Sequence, residues 1–149
     1  AQGEVVVVGE WRLEVLHPPE EAASLSENDG SLVLSATARG LTVLLTGDLE
    51  TKGEVQLLRG AHDRLRADVL KVGHHGSRSS TDPRFLRAVS PRLALLSAGR
   101  ANRFGHPHAT VLDRLGRQGT RTLRTDQGGA IHLTIRPGGQ LRIRRPGGD

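Results

Sequence analysis

Apolar residues in this chain come in short runs of four or five, separated by polar turns, a pattern of strands rather than long helices. Val5–Val8 and Trp11–Leu16, on either side of Gly9-Glu10, predict two strands around a tight turn. In the second, Trp11, Leu13 and Val15 alternate with Arg12 and Glu14, so the strand is half exposed. His17-Pro18-Pro19 stops it, and the acidic, Ser-rich stretch to Asn28 reads as loop. Ser31–Ala38 and Leu41–Leu45 form the next pair around Arg39-Gly40. The second of these is apolar almost throughout, as in a strand covered on both faces.

From Glu50 the spacing changes. Glu50 to Leu58 is helical, with Val55 and Leu58 on one side and Glu50 and Glu54 at the dipole-favoured start. Val69–Val72 is a short buried strand. Ser80-Thr81-Asp82-Pro83 starts a helix carrying Phe85 to Val89, Pro91 closes it, and Leu93–Ser97 is another buried strand. Ala109 to about Leu115 is a third helix, ending at Gly116 or Gly119. Thr120–Arg124, Ala130–Ile135 and Gln140–Ile143 are short strands between Gly-rich turns, and the tail over 144–149 is expected to fray. Hairpins first, then strand–helix alternation, predict an α/β fold with a mixed sheet and helices on one face. The other sheet face is then apolar and uncovered, the mark of a missing partner layer.

Composition narrows the function classes. Trp11, Phe85 and Phe104 are the only aromatics, too few for a platform that stacks single-stranded bases or for a choline-type cage. Cysteine is absent, which removes disulfide partners and thiolate chemistry. The net charge of +5 comes almost wholly from arginine, since Lys52 and Lys71 are the only lysines. That surface favours a polyanion, nucleic acid or an anionic membrane face. A GC-rich or thermophilic genome writes the same arginines for a blander reason. No signal peptide and no apolar run long enough to span a bilayer is found.

Three strand ends carry the candidate chemistry. Leu44-Leu-Thr-Gly-Asp48 ends a buried strand in a carboxylate, which reads as a metal ligand or as the N-cap of the following helix. Asp68-Val-Leu-Lys-Val-Gly-His-His-Gly-Ser77 runs a strand out into His74 and His75. If the backbone stays extended, those two side chains point to opposite sides, so one faces a metal and the other a substrate. Gly105-His-Pro-His108 adds His106 and His108, two apart and able to face one way. Asn28-Asp29-Gly30-Ser31 is a turn that also brings Asn28 and Ser31 toward the same edge. His17 reads as structural, and His62 and His132 as surface residues. Histidine and carboxylate without cysteine suit Zn, Mn or Fe in a hydrolytic site, where a metal-bound hydroxide attacks a phosphate or acyl centre. Asp48 and the histidines are too few for a complete two-metal set.

Asn28-Asp-Gly-Ser-Leu-Val-Leu34, Leu44–Asp48, Ala67–Ser77, Phe104-Gly-His-Pro-His108 and Arg124-Thr-Asp-Gln-Gly-Gly-Ala-Ile131 occur in this order. Together they resemble the C-terminal metallo-β-lactamase-like domain of ComEC-type competence proteins, from about Val5 to Ile135. The resemblance implies half of an αββα hydrolase sandwich, with residues 1–149 as a single partial domain. It implies divalent metal ions, Zn or Mn, with Asp48 bridging them and His75 as terminal ligand. His74 becomes the catalytic or substrate-side group, and Asn28, Ser31, Ser77, His106 and His108 contact the substrate. The implied partners are DNA and the remainder of a membrane channel protein, on the extracytoplasmic face of the inner membrane. The implied activity is degradation of the DNA strand that is not imported. The superfamily's His-x-His/Asp-x-Asp-His cluster is absent from this sequence, so the chain reads as a second half that is inactive alone. Two alternatives remain: a DNA-binding domain that has lost its metals, and a phosphodiesterase for a smaller phosphoester.

Overall fold

A computed structural model describes residues 1–20 and 25–145. Residues 21–24 of the expected loop and 146–149 of the expected frayed tail lie outside the described residues, while Arg144 ends a strand. The elements follow the hydrophobic pattern closely. The first four strands are β1 (Val5–Val8), β2 (Trp11–His17), β3 (Val33–Ala38) and β4 (Leu41–Leu45). Then α1 (Thr51–Gly60), β5 (Val69–Lys71), α2 (Pro83–Val89), β6 (Leu93–Leu96), α3 (Ala109–Arg117) and β7 (Arg121–Arg124) alternate. A helical turn α4 (Thr125–Gly128) precedes β8 (His132–Ile135) and β9 (Leu141–Arg144).

Strands β1 to β7 form one sheet in sequence order. Tight turns between β1 and β2 and between β3 and β4, with a longer connection from β2 to β3, make β1 to β4 antiparallel, and helical crossovers make β4 to β7 parallel. The chain is therefore α/β with a mixed sheet, as the pattern predicts. Its helices pack on one face, where Leu44, Leu70, Ala94 and Leu96 of the sheet meet Leu57, Phe85, Leu86 and Leu115. The parallel arrangement has a consequence for chemistry. The loops after β4, β5 and β6 all emerge at one edge, where side chains from distant positions can meet.

The opposite face differs from the expectation of an uncovered layer. Strands β8 and β9 leave the main sheet and pair as a separate hairpin. Its inward residues Leu133, Ile135, Leu141 and Ile143 pack on Leu41, Val69, Leu93 and Leu123. A two-stranded ribbon, with strands about 5 Å apart, covers only part of a seven-stranded sheet. Among the described residues, nothing covers this face over Val6, Val8 and Trp11, which are exposed. Leu45 at the end of β4 is exposed on the same face, where the register sets Val6 opposite Leu13 and Leu34 opposite Leu45. Among the described residues, no helix is long and apolar enough to cross a membrane.

Candidate functional site

Asp48 sits in the first loop of the parallel edge, and local geometry decides how it is presented. Gly47 turns the chain with φ +54, and a Cβ there would come within 2.9 Å of the Ser31 Cβ. Ser31 Oγ in turn accepts the Asp48 N–H at 3.1 Å. Ser31 thus braces the Asp48 backbone. The cap reading of Asp48 does not hold, because the N-terminus of α1 is served by another carboxylate. Asp29, 4 % exposed, accepts the Gly53 N–H at 2.9 Å on Oδ1. Its main-chain oxygen accepts from His17 Nε2 at 2.7 Å, and His17 is buried as a structural residue. Gly53 is required for this close approach, since a Cβ would lie 2.8 Å from the Asp29 carbonyl oxygen. Asp48 is left with no capping duty.

The His-His-Gly segment is not an extended strand end. His74 and His75 both adopt positive φ, +44 and +55, so the chain turns there. The expectation that the two imidazoles diverge therefore fails, since their ring centres are 6.4 Å apart. Gly73 and Gly76 make the turn possible. A Cβ on Gly73 would meet the Leu49 carbonyl oxygen at 2.6 Å, and one on Gly76 would meet Leu96 and Pro107 at 2.7 Å. The second contact, with the His108 N–H donating to the Gly76 carbonyl at 2.9 Å, locks the two histidine loops together.

Hydrogen-bond partners assign the tautomers. His75 Nδ1 lies 2.6 Å from the Ser97 carbonyl oxygen, which can only accept, so Nδ1 carries the proton. His74 Nδ1 lies 2.8 Å from Glu50 Oε1, which also accepts from Ser79 Oγ at 2.6 Å. Both imidazoles are therefore held through Nδ1 and keep the Nε2 lone pair free, the state in which histidine binds a metal or takes a proton. His108 has the reverse arrangement. Its Nδ1 accepts the Thr110 N–H at 3.2 Å at the start of α3, so its Nε2 presents a donor.

His75 Nε2 is 3.6 Å from Asp48 Oδ1. That is long for a hydrogen bond, but two ligands each about 2.1 Å from one tetrahedral ion sit about 3.4 Å apart. The pair fits two corners of a metal site. Among the described residues, no group of three His, Asp or Glu side chains forms a metal cage. His106 packs its ring 5.6 Å from that of His74. Burial, then the neighbouring imidazoles of His74, His75 and His108, hold its pKa below the ordinary histidine value. Asn102 fixes this loop by accepting the His106 N–H and donating to its carbonyl. An open cavity of about 270 Å³, lined by His75, Ser97, Asn102, Phe104 and His106, adjoins the cluster.

Of the residues singled out by sequence, Asp48, His74, His75 and His106 come together at this edge. Ser31 acts from behind Asp48, and Ser77 Oγ bonds Ser79 Oγ at 2.9 Å within the same loop. Asn28 accepts the Ser31 N–H on its main-chain oxygen, and among the described residues no hydrogen bond of its side chain ties it to the cluster. Two residues were missed. Glu50 was read only as a helix-start acid, yet it orients His74. Lys71, on β5, donates to the Gly47 carbonyl at 2.9 Å beside Asp48, and burial lowers its pKa. A carboxylate two positions after Asp48 was the available signal for the first. A lone lysine in an apolar strand was the signal for the second.

The loop behind the histidines is clamped from two helices. Glu54 of α1, 2 % exposed, accepts the Thr81 and Asp82 N–H groups at 2.5 and 2.7 Å. Arg114 of α3 donates to the Ser80 and Thr81 carbonyls. Thr81 holds φ +63 between them. Burial pushes the Glu54 pKa up to about 7 against the two N–H bonds, which favour its charged form.

No protein-family model matches the chain. It is 44 % identical over 130 residues to ComE operon protein 3 of Bacillus subtilis, covering 87 % of this chain and 16 % of that protein. It is 42 % identical over 121 residues to competence protein ComA of Neisseria gonorrhoeae, covering 81 % of this chain and 18 % of that protein. It is 34 % identical over 130 residues to recombination protein 2 of Haemophilus influenzae, covering 85 % and 16 %. The chain thus resembles one region of competence proteins and spans less than a fifth of the length of each of these three.

Proposed function

We propose that this chain supplies one half of a metallo-β-lactamase-like site that hydrolyses DNA phosphodiesters within a competence protein. The observation that carries the reading is the Asp48–His75 pair, 3.6 Å apart, with the His75 proton held on the far nitrogen by Ser97. The likeness to competence proteins supports DNA as the substrate and a membrane channel protein as the context, with the site on the extracytoplasmic face. Zn or Mn would be held by Asp48 and His75 together with ligands from outside this chain. Bound there, the metals would supply an activated hydroxide and neutralise a phosphate oxygen.

The chain's own residues have separate duties in this reading. Ser31 fixes the Asp48 backbone, and Ser97 fixes the His75 tautomer. Glu50 holds His74 with Nε2 free, so His74 takes a proton at that atom or orients the attacking water. The Nε2–H of His108 donates to a phosphate oxygen, and His106, whose pKa burial holds down, lines the cavity beside His75. Ser77 and Asn28 are assigned to substrate contact in this reading.

The test compares this chain with the longer protein that contains it, by metal content and by Mn- or Zn-dependent cleavage of DNA. The longer protein is expected to bind metal and cut, the 149-residue chain to do neither, and Asp48→Ala in the longer protein to abolish both. Cleavage by the longer protein that survives Asp48→Ala would overturn the reading. DNA binding indifferent to chelator, with no cleavage by either protein, would favour a binding domain that has lost its metals.

A further inference from the structure

We infer that the outer face of the β8–β9 hairpin is a contact track for the phosphate backbone of DNA. This rests on DNA being the ligand, but not on the metal site. The hairpin is two-faced. Leu133, Ile135, Leu141 and Ile143 turn inward onto the sheet, and the alternation puts His132, Thr134, Arg136, Arg142 and Arg144 outward, all of them exposed. From Gln127 to Arg145 there are four arginines and no acidic residue. Among the described residues five arginines of the rest of the chain find carboxylates, Arg12 and Arg64 with Glu14, Arg39 with Glu10, Arg84 with Asp82 and Arg124 with Asp126. Among the described residues, no acid pairs with Arg136, Arg142 or Arg144.

The three arginines also lie in a line. Arg142 faces Thr134 and Arg144 faces His132 across the ladder, and Arg136 is diagonal to Arg142. Along one strand, Arg142 and Arg144 are two residues apart, about 7 Å. Like charges so close repel, and the charges of Arg144 and Arg136 lower the Arg142 pKa. A row of phosphates relieves that repulsion. The line runs along the strands of the hairpin. The hairpin opens just after α4, at the edge that carries Asp48 and His75, and closes at the opposite edge, where Arg39 donates to the Ile135 carbonyl. It therefore leads away from the candidate site. An anionic membrane is the weaker match, because the outward face carries no large apolar side chain to insert.

The test measures binding of a labelled mixed-sequence DNA duplex to the wild-type chain across a salt series. Each phosphate contact contributes a slope of about 0.9 in log affinity against log salt, so losing three should flatten the slope by about 2–3. R136A/R142A/R144A is expected to do this and to lower low-salt affinity at least tenfold. The matching triple lysine variant should retain most of the slope. R59A/R87A/R117A, which removes the same charge from exposed positions on the three helices, should retain it too. The inference falls if both alanine triples flatten the slope equally, or if the hairpin triple spares DNA and weakens only binding to phosphatidylserine vesicles. In either case wild-type DNA binding leaves the reading of DNA as ligand standing. Absence of any DNA binding by the wild-type chain sinks that reading along with the track.

Discussion

The helix-covered face of the central sheet and the face opposite are both apolar, yet their side chains meet different fates. On the first, Leu44, Leu70 and Leu96 are at or near zero exposure beneath three helices. On the second, Val69 and Leu93 are buried by the hairpin, while Val6, Val8 and Trp11 in the same sheet stand in solvent. The closed face supplies the rigidity that the site needs. The loops of the parallel edge hang from strands anchored there, and Glu54 and Arg114 reach the histidine loop from its helices.

The sharpest test of this contrast is Phe85→Ala on the closed face. Phe85 is 2 % exposed in the core, and its loss should cost about 3–5 kcal/mol in denaturant unfolding. A loss below about 1 kcal/mol would break the claim that the helices close this face.

Glu54 tests the same face through pH. Its ordinary pKa is 4.5 and its folded value about 7, so the folded chain keeps this proton after the unfolded chain has released it. The stabilising contribution is complete below about pH 4.5 and is lost as pH rises through 7. The fall should be on the order of 3 kcal/mol, measured by unfolding at stepped pH. Glu54→Gln should flatten this part of the profile. Because a glutamine oxygen cannot serve both N–H groups as a carboxylate does, amide exchange at Thr81 and Asp82 should also quicken.

Trp11→Ala gives the smallest effect and the complementary one. The side chain is 37 % exposed on the open face, so its removal from this chain should cost about 1–2 kcal/mol, less than the loss of Phe85. In the longer protein of the proposed function, the same substitution should cost more if that face is covered there. Equal costs in both would show that nothing packs on Trp11.

The site was half legible before the fold was known. Asp48, His74, His75 and His106 stood out because carboxylates and imidazoles are rare at the ends of apolar strands. Their separate roles were not readable. Whether His74 and His75 diverge depends on φ, and the left-handed turn between Gly73 and Gly76 follows from close approaches to Leu49, Leu96 and Pro107. The tautomers depend on Ser97 and Glu50, which are 22 and 24 residues away along the chain. The cap of α1 was open to Asp48 as the alternative to a ligand role, and Asp29, 24 residues before the Gly53 N–H that it accepts, provides it.

By itself, then, the amino-acid order determined where strands and helices begin, which faces are apolar, and which side chains can ligate or transfer protons. Those properties follow from periodicities of two and 3.6 residues and from side-chain chemistry, both local. Tertiary structure alone decided that β8 and β9 leave the main sheet and cover part of its open face. It alone set Asp48 beside His75 and placed three unpaired arginines in one line. Those outcomes depend on register, close backbone contact and long-range hydrogen bonds, which exist only once distant segments are packed together.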